Sequence, residues 1–298
     1  MNSTDKKFKL TLKRRSMLTG LAFVSLWIVG FCVFTLYPLI YTFYLSFNNV
    51  RVTAGEGILT EYLGWENYRR AFVLDNLVAE ALSEYFSEMI IYVPIIIVVA
   101  LIIALMLNNK IKGTGIFRTI FFLPVIITSG PVIQNFVDQG VASLTVSEFF
   151  DTSVLYEYVP SVFADAVSFL IDSFIMILWF SGVQILIYLA GLKKLDKAMY
   201  EAARIDGAGK WETFWKLTLP ALNPIIIINI VYTVVTQSLF SLNPIVVKIK
   251  AEMNNVETGY GYASALAWIY TVVIILVLGV FVLLFKRHEK KNRRLADE

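Results

Sequence analysis

The stretch 201-EAARIDGAGKWETFWKLTLP-220 is charged, carries two glycines and ends in Leu-Pro, yet long apolar runs lie on both sides of it. What it can be depends on those runs. The chain has 298 residues, of which 57% are apolar and only 16% charged. Soluble domains carry roughly 25% charged residues. Mean hydropathy is +0.68. The composition is that of a polytopic membrane protein, and the stretch is one of its connections.

A helix needs about 20 mostly apolar residues to cross the hydrocarbon core. Six segments qualify: 17–46, 88–108, 116–136, 167–191, 222–243 and 262–285. The expected fold is therefore all-α, with six transmembrane helices. The first run follows a basic stretch, as a signal peptide would. However, no small-residue cleavage pattern follows, and 26-LWIVGFCVFTLYPLIYTFYLSF-47 is too long for a signal core, so it reads as a retained span. Cytoplasmic connections collect Lys and Arg. With both termini inside, only Arg51, Arg69, Arg70, Lys248 and Lys250, of 26 such residues, fall outside. The outer loop 137–166 has none. This bias predicts N-in and C-in, and it places 192–221 in the cytoplasm. The expected organisation is a basic cytoplasmic N-terminus (1–16), one membrane domain (17–286) that includes the loop 192–221, and a basic cytoplasmic tail (287–298). The outer loop 47–87 has room for a short helix around 65-WENYRRAFVLDN-76, either as a cap over the external mouth or as a surface for a partner.

Several chemistries lack raw material. A net charge of +3 gives no support to nucleic-acid binding. One cysteine, Cys32, precludes a disulfide framework. One histidine, His288, leaves almost nothing for a zinc site or a histidine-based triad. The string 207-GAGK-210 would need Gly at position 204 and Ser or Thr at 211 to cradle phosphate, but those positions hold Arg204 and Trp211. The chain is expected to bind neither ATP nor a metal. The string 258-TGYGY-262 follows the charged 248-KIKAEMNNVE-257 instead of an apolar pore helix, so it reads as a glycine-rich lead-in to the sixth span, not an ion filter. No paired carboxylates, metal ligands or activated nucleophile face one another across the spans, so an embedded enzyme is not expected.

Polar groups inside a membrane are costly and usually face a partner or a pathway. In the fifth span Asn229, Thr233, Thr236, Gln237 and Phe240 recur at helical spacing and form one face. Amides and hydroxyls offer donors and acceptors, and an aromatic ring stacks on the apolar face of a sugar. The stripe can line a pathway, or each residue can serve as interhelical glue worth about 0.6–2 kcal/mol. The fourth span adds Asp172, Ser173, Trp179 and Gln184, with Asp172 near the outer end. The third contains 129-SGPVIQN-135, where Pro131 loosens the helix next to Asn135, giving either a gate or a static kink.

The opening stretch has a local logic of its own. Residues 195–205, rich in Ala, Met, Glu and Lys, predict a short helix. Gly207 permits a turn that is costly for other residues. Residues 209–218 predict a second short helix bearing Trp211, Phe214 and Trp215, and Pro220 ends it. Small Ala202, Ala203 and Ala208 allow another surface to approach closely. The aromatic residues anchor the knob to the membrane domain or to a partner, or lay it on the lipid surface; composition alone leaves these open.

Spacing separates them. Glu201-Ala202-Ala203, then Gly207, then Leu217 and Leu219-Pro220 resembles the EAA loop of ABC-importer permeases. The fuller pattern, with Asp206, Ala208 and Phe214, is similar to the carbohydrate-uptake branch. So are 38-PLIYTFYLSF-47, 62-YLGWENYRRAF-72, 116-IFRTIFFLPVI-126 and 261-GYASALAW-268. The likeness is to the maltose- and glycerol-phosphate-type first permease. It implies a non-catalytic, multi-pass subunit in the bacterial cytoplasmic (inner) membrane. Its implied partners are a second, different permease, two copies of a cytoplasmic ATPase that hold ATP and Mg, and an extracytoplasmic sugar-binding protein. It also implies that Glu201 pairs with a basic group of the ATPase, that Ala202, Ala203 and Ala208 pack in the ATPase cleft, and that Gly207 makes the turn. Asp206, Phe214, Leu217, Leu219 and Pro220 complete the coupling motif. Two positions depart from the pattern: Asp196, an N-cap residue, stands where relatives carry Pro, and Asn135 stands where many carry Trp. The rival reading is a six-span channel or secondary transporter working without ATP.

Overall fold

The computed structural model describes residues 12–53, 57–108, 115, 119, 160–255 and 259–297. In chain order its elements are α1 (Leu12–Phe31), α2 (Tyr37–Leu45), β1 (Asn48–Thr53), β2 (Gly57–Tyr62), α3 (Glu66–Arg69), α4 (Asn76–Asn108), α5 (Ser161–Lys194), α6 (Lys197–Ile205), α7 (Lys210–Thr213), α8 (Leu219–Ala221), α9 (Asn223–Ser238), α10 (Pro244–Met253) and α11 (Gly259–Asp297). Among the described residues, four helices are long and apolar enough to cross a membrane, or five if the bent pair 210–221 and 223–238 counts as one. The segment expected as the third span lies outside the described residues except Thr119, as does Asn135. The chain divides into two compact units.

The first unit comprises residues 1–74 and 249–268. Its α1 and α2 form one continuous helical rod through a π-helical turn, Cys32–Leu36. Pro38 in the first turn of α2 has no N–H to donate, and the wider turn ahead of it accommodates that loss. None of the rod's most apolar window is buried. Phe23, Leu26, Trp27 and Phe34 stand exposed, as they would on a helix facing lipid or another chain.

The all-α expectation needs correction after this rod. Strands β1 and β2 pair antiparallel, from Asn48↔Tyr62 to Thr53↔Gly57. Alternating Val50, Val52 and Ile58, Thr60 carry the β-branched signal that long apolar helices overshadow. Val50 bridges to Gly259 at the start of α11. A Cβ on Gly261 would collide with the Asn48 carbonyl, and one on Gly259 with that of Val50. The glycines of TGYGY therefore let a strand backbone lie against a helix start. Asn67 Nδ2 donates to the carbonyls of Ser46 (2.9 Å) and Asn48 (3.1 Å), and the Arg70 guanidinium lies 5.0 Å over the Tyr262 ring. The helix expected around 65–76 is only the short α3 followed by a π-helical turn, Arg70–Leu74.

The second unit comprises residues 75–248 and 269–298. Helix α4 begins twelve residues before the expected second span at 88. Its first turns bury Val78, Ala81 and Tyr85 while Glu80 and Glu84 stay exposed, so they are helical but too charged to read as membrane-spanning. Ala100, Ala104, Leu107, Ile185, Leu189, Leu192, Leu222, Ile226 and Ile230 form the core between α4, α5 and α9. At its closest point a Cβ on Gly191 would lie 2.8 Å from Ile225 Cγ1. The Tyr85 hydroxyl shares a 2.8 Å hydrogen bond with Ser238 Oγ, and the Tyr270 hydroxyl donates to the Ser238 carbonyl at 2.8 Å, which ties α4 and α11 to the end of α9. Lys248 and Asp75 form a mostly buried ion pair at 3.0 Å.

The expected fifth span, 222–243, also needs correction. Helix α9 ends at Ser238 after 16 residues. At 1.5 Å per residue that is about 24 Å, short of the roughly 30 Å hydrocarbon core. The chain bends by 64° between Ala221 and Asn223. The break sits at Leu222, not at Pro220.

Candidate functional site

Both candidate regions belong to the second unit. The first is the knob joining α5 to α9. Asp196 caps α6: its Oδ1 accepts from the Ala198 N–H at 2.9 Å. The other end of α6 closes with two reciprocal bonds. The Gly207 N–H donates to the Arg204 carbonyl at 3.2 Å and the Ala208 N–H to the Ala203 carbonyl at 2.9 Å. With Gly207 at φ +80°, this is a Schellman turn, in which glycine avoids the Cβ clash of a left-handed residue. Glu201, Ala202, Asp206 and Gly207 are exposed, Ala208 is half-buried, and Ala203 is buried within the chain itself. Ala203 therefore supports the knob from inside, whereas the likeness to the EAA loop implied packing in a partner's cleft.

The second half of the knob is α-helical only through α7, then widens into a π-helical turn, Phe214–Thr218. That turn lets Pro220 sit in the first turn of α8 without a missing bond, so helix continues to Ala221. Tyr200 and Thr218 hydroxyls, 3.0 Å apart, tie the two halves together. Phe214 and Leu219 pack on the α4–α5–α9 core. Leu217 is half-buried and Pro220 exposed. Trp211 and Trp215 meet edge to face at 5.5 Å and remain exposed. The aromatic residues thus divide: Phe214 anchors the knob and the tryptophans project from it.

The second region is a polar column between α5 and α9. Asn229, Thr233 and Gln237 are buried along one face of α9, opposite Tyr188, Gln184 and Phe180 of α5. Gln184 Nε2 donates to Thr233 Oγ1 at 2.9 Å. The Tyr188 hydroxyl lies beside the Asn229 amide. Phe180 and Phe240 meet edge to face at 5.1 Å. Trp179 Nε1, Gln184 Oε1, Tyr188 Oη, both amide atoms of Asn229 and Gln237 Oε1 are buried with no hydrogen-bond partner among the described residues. A buried polar atom left unpaired costs about 1–3 kcal/mol, and among the described residues the column carries unused hydrogen-bonding capacity. Thr236 departs from the expected single face: it is half-buried on the flank, and its hydroxyl is spent on the Tyr232 carbonyl at 2.7 Å. Asp172 and Ser173 fall within α5, but their side chains lie outside the described set.

The column opens at one end into a cavity of about 140 Å³ lined by Glu88, Met89, Tyr92, Phe180, Gln237, Phe240, Leu242 and Asn243. At the other end Leu192, Leu222 and Ile226 close it. Glu88, Tyr92, Asn243 and Tyr188 were missed from the sequence. Glu80, Glu84 and Glu88 recur every four residues, and that period marks a helix running past the point where hydropathy places the start of the span. Among the described residues no cluster of three or more His, Cys, Asp or Glu suits a metal.

Comparison with known proteins fits this geometry. Residues 71–294 match the family described as "Binding-protein-dependent transport system inner membrane component". The chain is 31% identical to the probable ABC transporter permease protein YesP of Bacillus subtilis, over 93% of each chain. It is 32% identical to the lactose transport system permease protein LacF of Rhizobium radiobacter, over 78% of this chain and 75% of that one. A bacterial alginate ABC transporter, solved in complex with an alginate pentasaccharide-bound periplasmic protein, shares the fold with a TM-score of 0.55 at 19% identity, over 93% of this chain and 96% of that one. The matched region contains the knob, the column and the cavity together. The chain is therefore a permease, a member of the inner membrane component family of binding-protein-dependent transport systems.

Proposed function

We propose that the chain forms half of the translocation path of a sugar or oligosaccharide importer, with six transmembrane helices and both termini in the cytoplasm. Residues 1–16 and 287–298 are basic cytoplasmic ends, 17–286 the membrane domain, and 192–221 the coupling loop. Partners are a second, different permease, two ATPase subunits that hold ATP and Mg, and an extracytoplasmic sugar-binding protein. The observation that carries this reading is the family match over 71–294, which contains both the exposed knob and the polar column. The relative named for lactose transport supports a carbohydrate cargo.

In this reading Glu201 and Ala202, exposed on the outer face of the knob, meet the ATPase, with Ala208 beside them. Asp206 and Gly207 hold the turn. Ala203, Phe214, Leu217, Leu219 and Pro220 transmit its displacement to α5 and α9, which are rigid elements. Asn229, Thr233, Gln237 and Phe240, with Trp179 and Gln184, offer sugar hydroxyls the hydrogen bonds left unused in the column. Thr236, Asp172 and Asn135 remain path candidates on their sequence positions. The decisive test is to reconstitute the complex with its binding protein and measure which sugars stimulate ATP hydrolysis. Stimulation by a neutral sugar is expected, and transport that persists without ATP would overturn the reading in favour of a channel or secondary transporter.

A further inference from the structure

We propose that Glu88 is a charge filter, whose carboxylate lets the cavity above the polar column accept neutral sugars and turn away sugars bearing a carboxylate. This rests on the reading of the column and its cavity as part of the path.

The cavity wall supplies three kinds of chemistry. Phe180 and Phe240 give an apolar surface on which a pyranose ring can stack. Gln237 and Asn243 give amides, and the Gln237 side chain is only 6% exposed with its Oε1 unpaired among the described residues. A buried acceptor with no partner in a cavity wall is a place for a ligand hydroxyl. Among the described residues of the wall, Glu88 gives the only charge. The ion pairs among the described residues, Arg69–Glu66, Lys216–Glu212 and Lys248–Asp75, leave it without a cation. Glu84 lies one turn earlier on α4 and is exposed, whereas Glu88 is half-buried at the cavity wall. Among the described residues the cavity therefore presents acceptors to hydroxyls beside a carboxylate that no cation pairs. A neutral sugar donates to the Glu88 oxygens, whereas a uronate brings a second negative charge into a confined space of reduced dielectric, where repulsion is strong. At about 140 Å³ the cavity is below the roughly 300–1,000 Å³ of sites for drug-sized ligands, so it holds part of an oligosaccharide at a time and inspects single residues as they pass.

The test uses methyl β-glucoside and methyl β-glucuronide, which differ only at C6. Each is titrated onto the detergent-solubilised importer complex, without binding protein, and followed by saturation-transfer difference NMR. Wild type should bind the glucuronide at least about tenfold more weakly than the glucoside. Glu88→Gln keeps the side chain's size and its acceptor oxygen while removing the charge. It should strengthen glucuronide binding by about tenfold, and so narrow or abolish the preference for the glucoside. Glu88→Asp, which keeps the charge, should still discriminate, and it separates loss of charge from loss of assembly. If the glucoside gives no transfer on wild type, the path reading of the cavity falls and the filter falls with it. If the glucoside binds but wild type binds the glucuronide equally well, or Glu88→Gln leaves the preference unchanged, the filter alone is overturned.

Discussion

Gln184 and Thr233 face each other across α5 and α9, and a single 2.9 Å hydrogen bond from Nε2 to Oγ1 joins them in a fully buried setting. The same Thr233 hydroxyl donates to the Asn229 carbonyl at 2.7 Å. Thr233→Val keeps the volume, removes both bonds and leaves the Gln184 amide without a partner. The expected loss is about 1–3 kcal/mol, read as a lower Tm of the solubilised complex. Thr233→Ser should recover most of it.

Replacing Asn229, Thr233 and Gln237 together by Leu removes most of the unused polar capacity of α9. Transport should fall steeply while assembly persists, because Leu suits an apolar neighbourhood. Wild-type sugar dependence of uptake in the triple variant would return the column to interhelical glue.

At the knob, Gly207→Val forces a β-branched residue to φ +80°. The strain is of order 1–3 kcal/mol, concentrated in the Schellman turn. Uptake and sugar-stimulated ATP hydrolysis should be lost while the protein still inserts. Glu201→Lys reverses an exposed charge without touching the fold, and the same loss is expected. Normal uptake by both variants would remove the coupling role.

Asp196→Ala deletes the cap of α6, costing about 1 kcal/mol. Faster hydrogen exchange at Ala198 and Met199 should report it. Partial uncoupling is expected, because the turn at the far end of α6 remains intact.

Gly261→Ala pushes a methyl group into the Asn48 carbonyl. Overpacking of this kind costs about 1–3 kcal/mol. Exchange should accelerate across β1 and β2, with the knob unchanged.

The membrane class, the helix–turn–helix at 195–221 and its glycine bend were legible because hydropathy, Asp196 and Gly207 each act locally. The hairpin was not, since its short β-branched alternation lies beside much longer apolar runs. The break at Leu222 was hidden because Pro220 looks like a helix breaker until a π-helical turn ahead of it removes the bond it would have broken. Glu88 escaped because it sits where a span was expected to begin, and only the fold of α4 turns it toward Gln237 and Phe240. Asn229, Thr233, Gln237 and Phe240 were found from helical spacing, but Thr236 shows that one residue of angular drift is enough to leave the face.

Gly191 meets Ile225 three residues beyond the 64° bend, where no side chain larger than hydrogen fits. This contact makes the two helices share a fulcrum. In the proposed coupling, a push on the knob meets both helices on the knob's side of this point, while the column and cavity lie on the other, so the seal at Leu192 and Leu222 and the wall at Gln237 and Phe240 belong to opposite arms of one rocker.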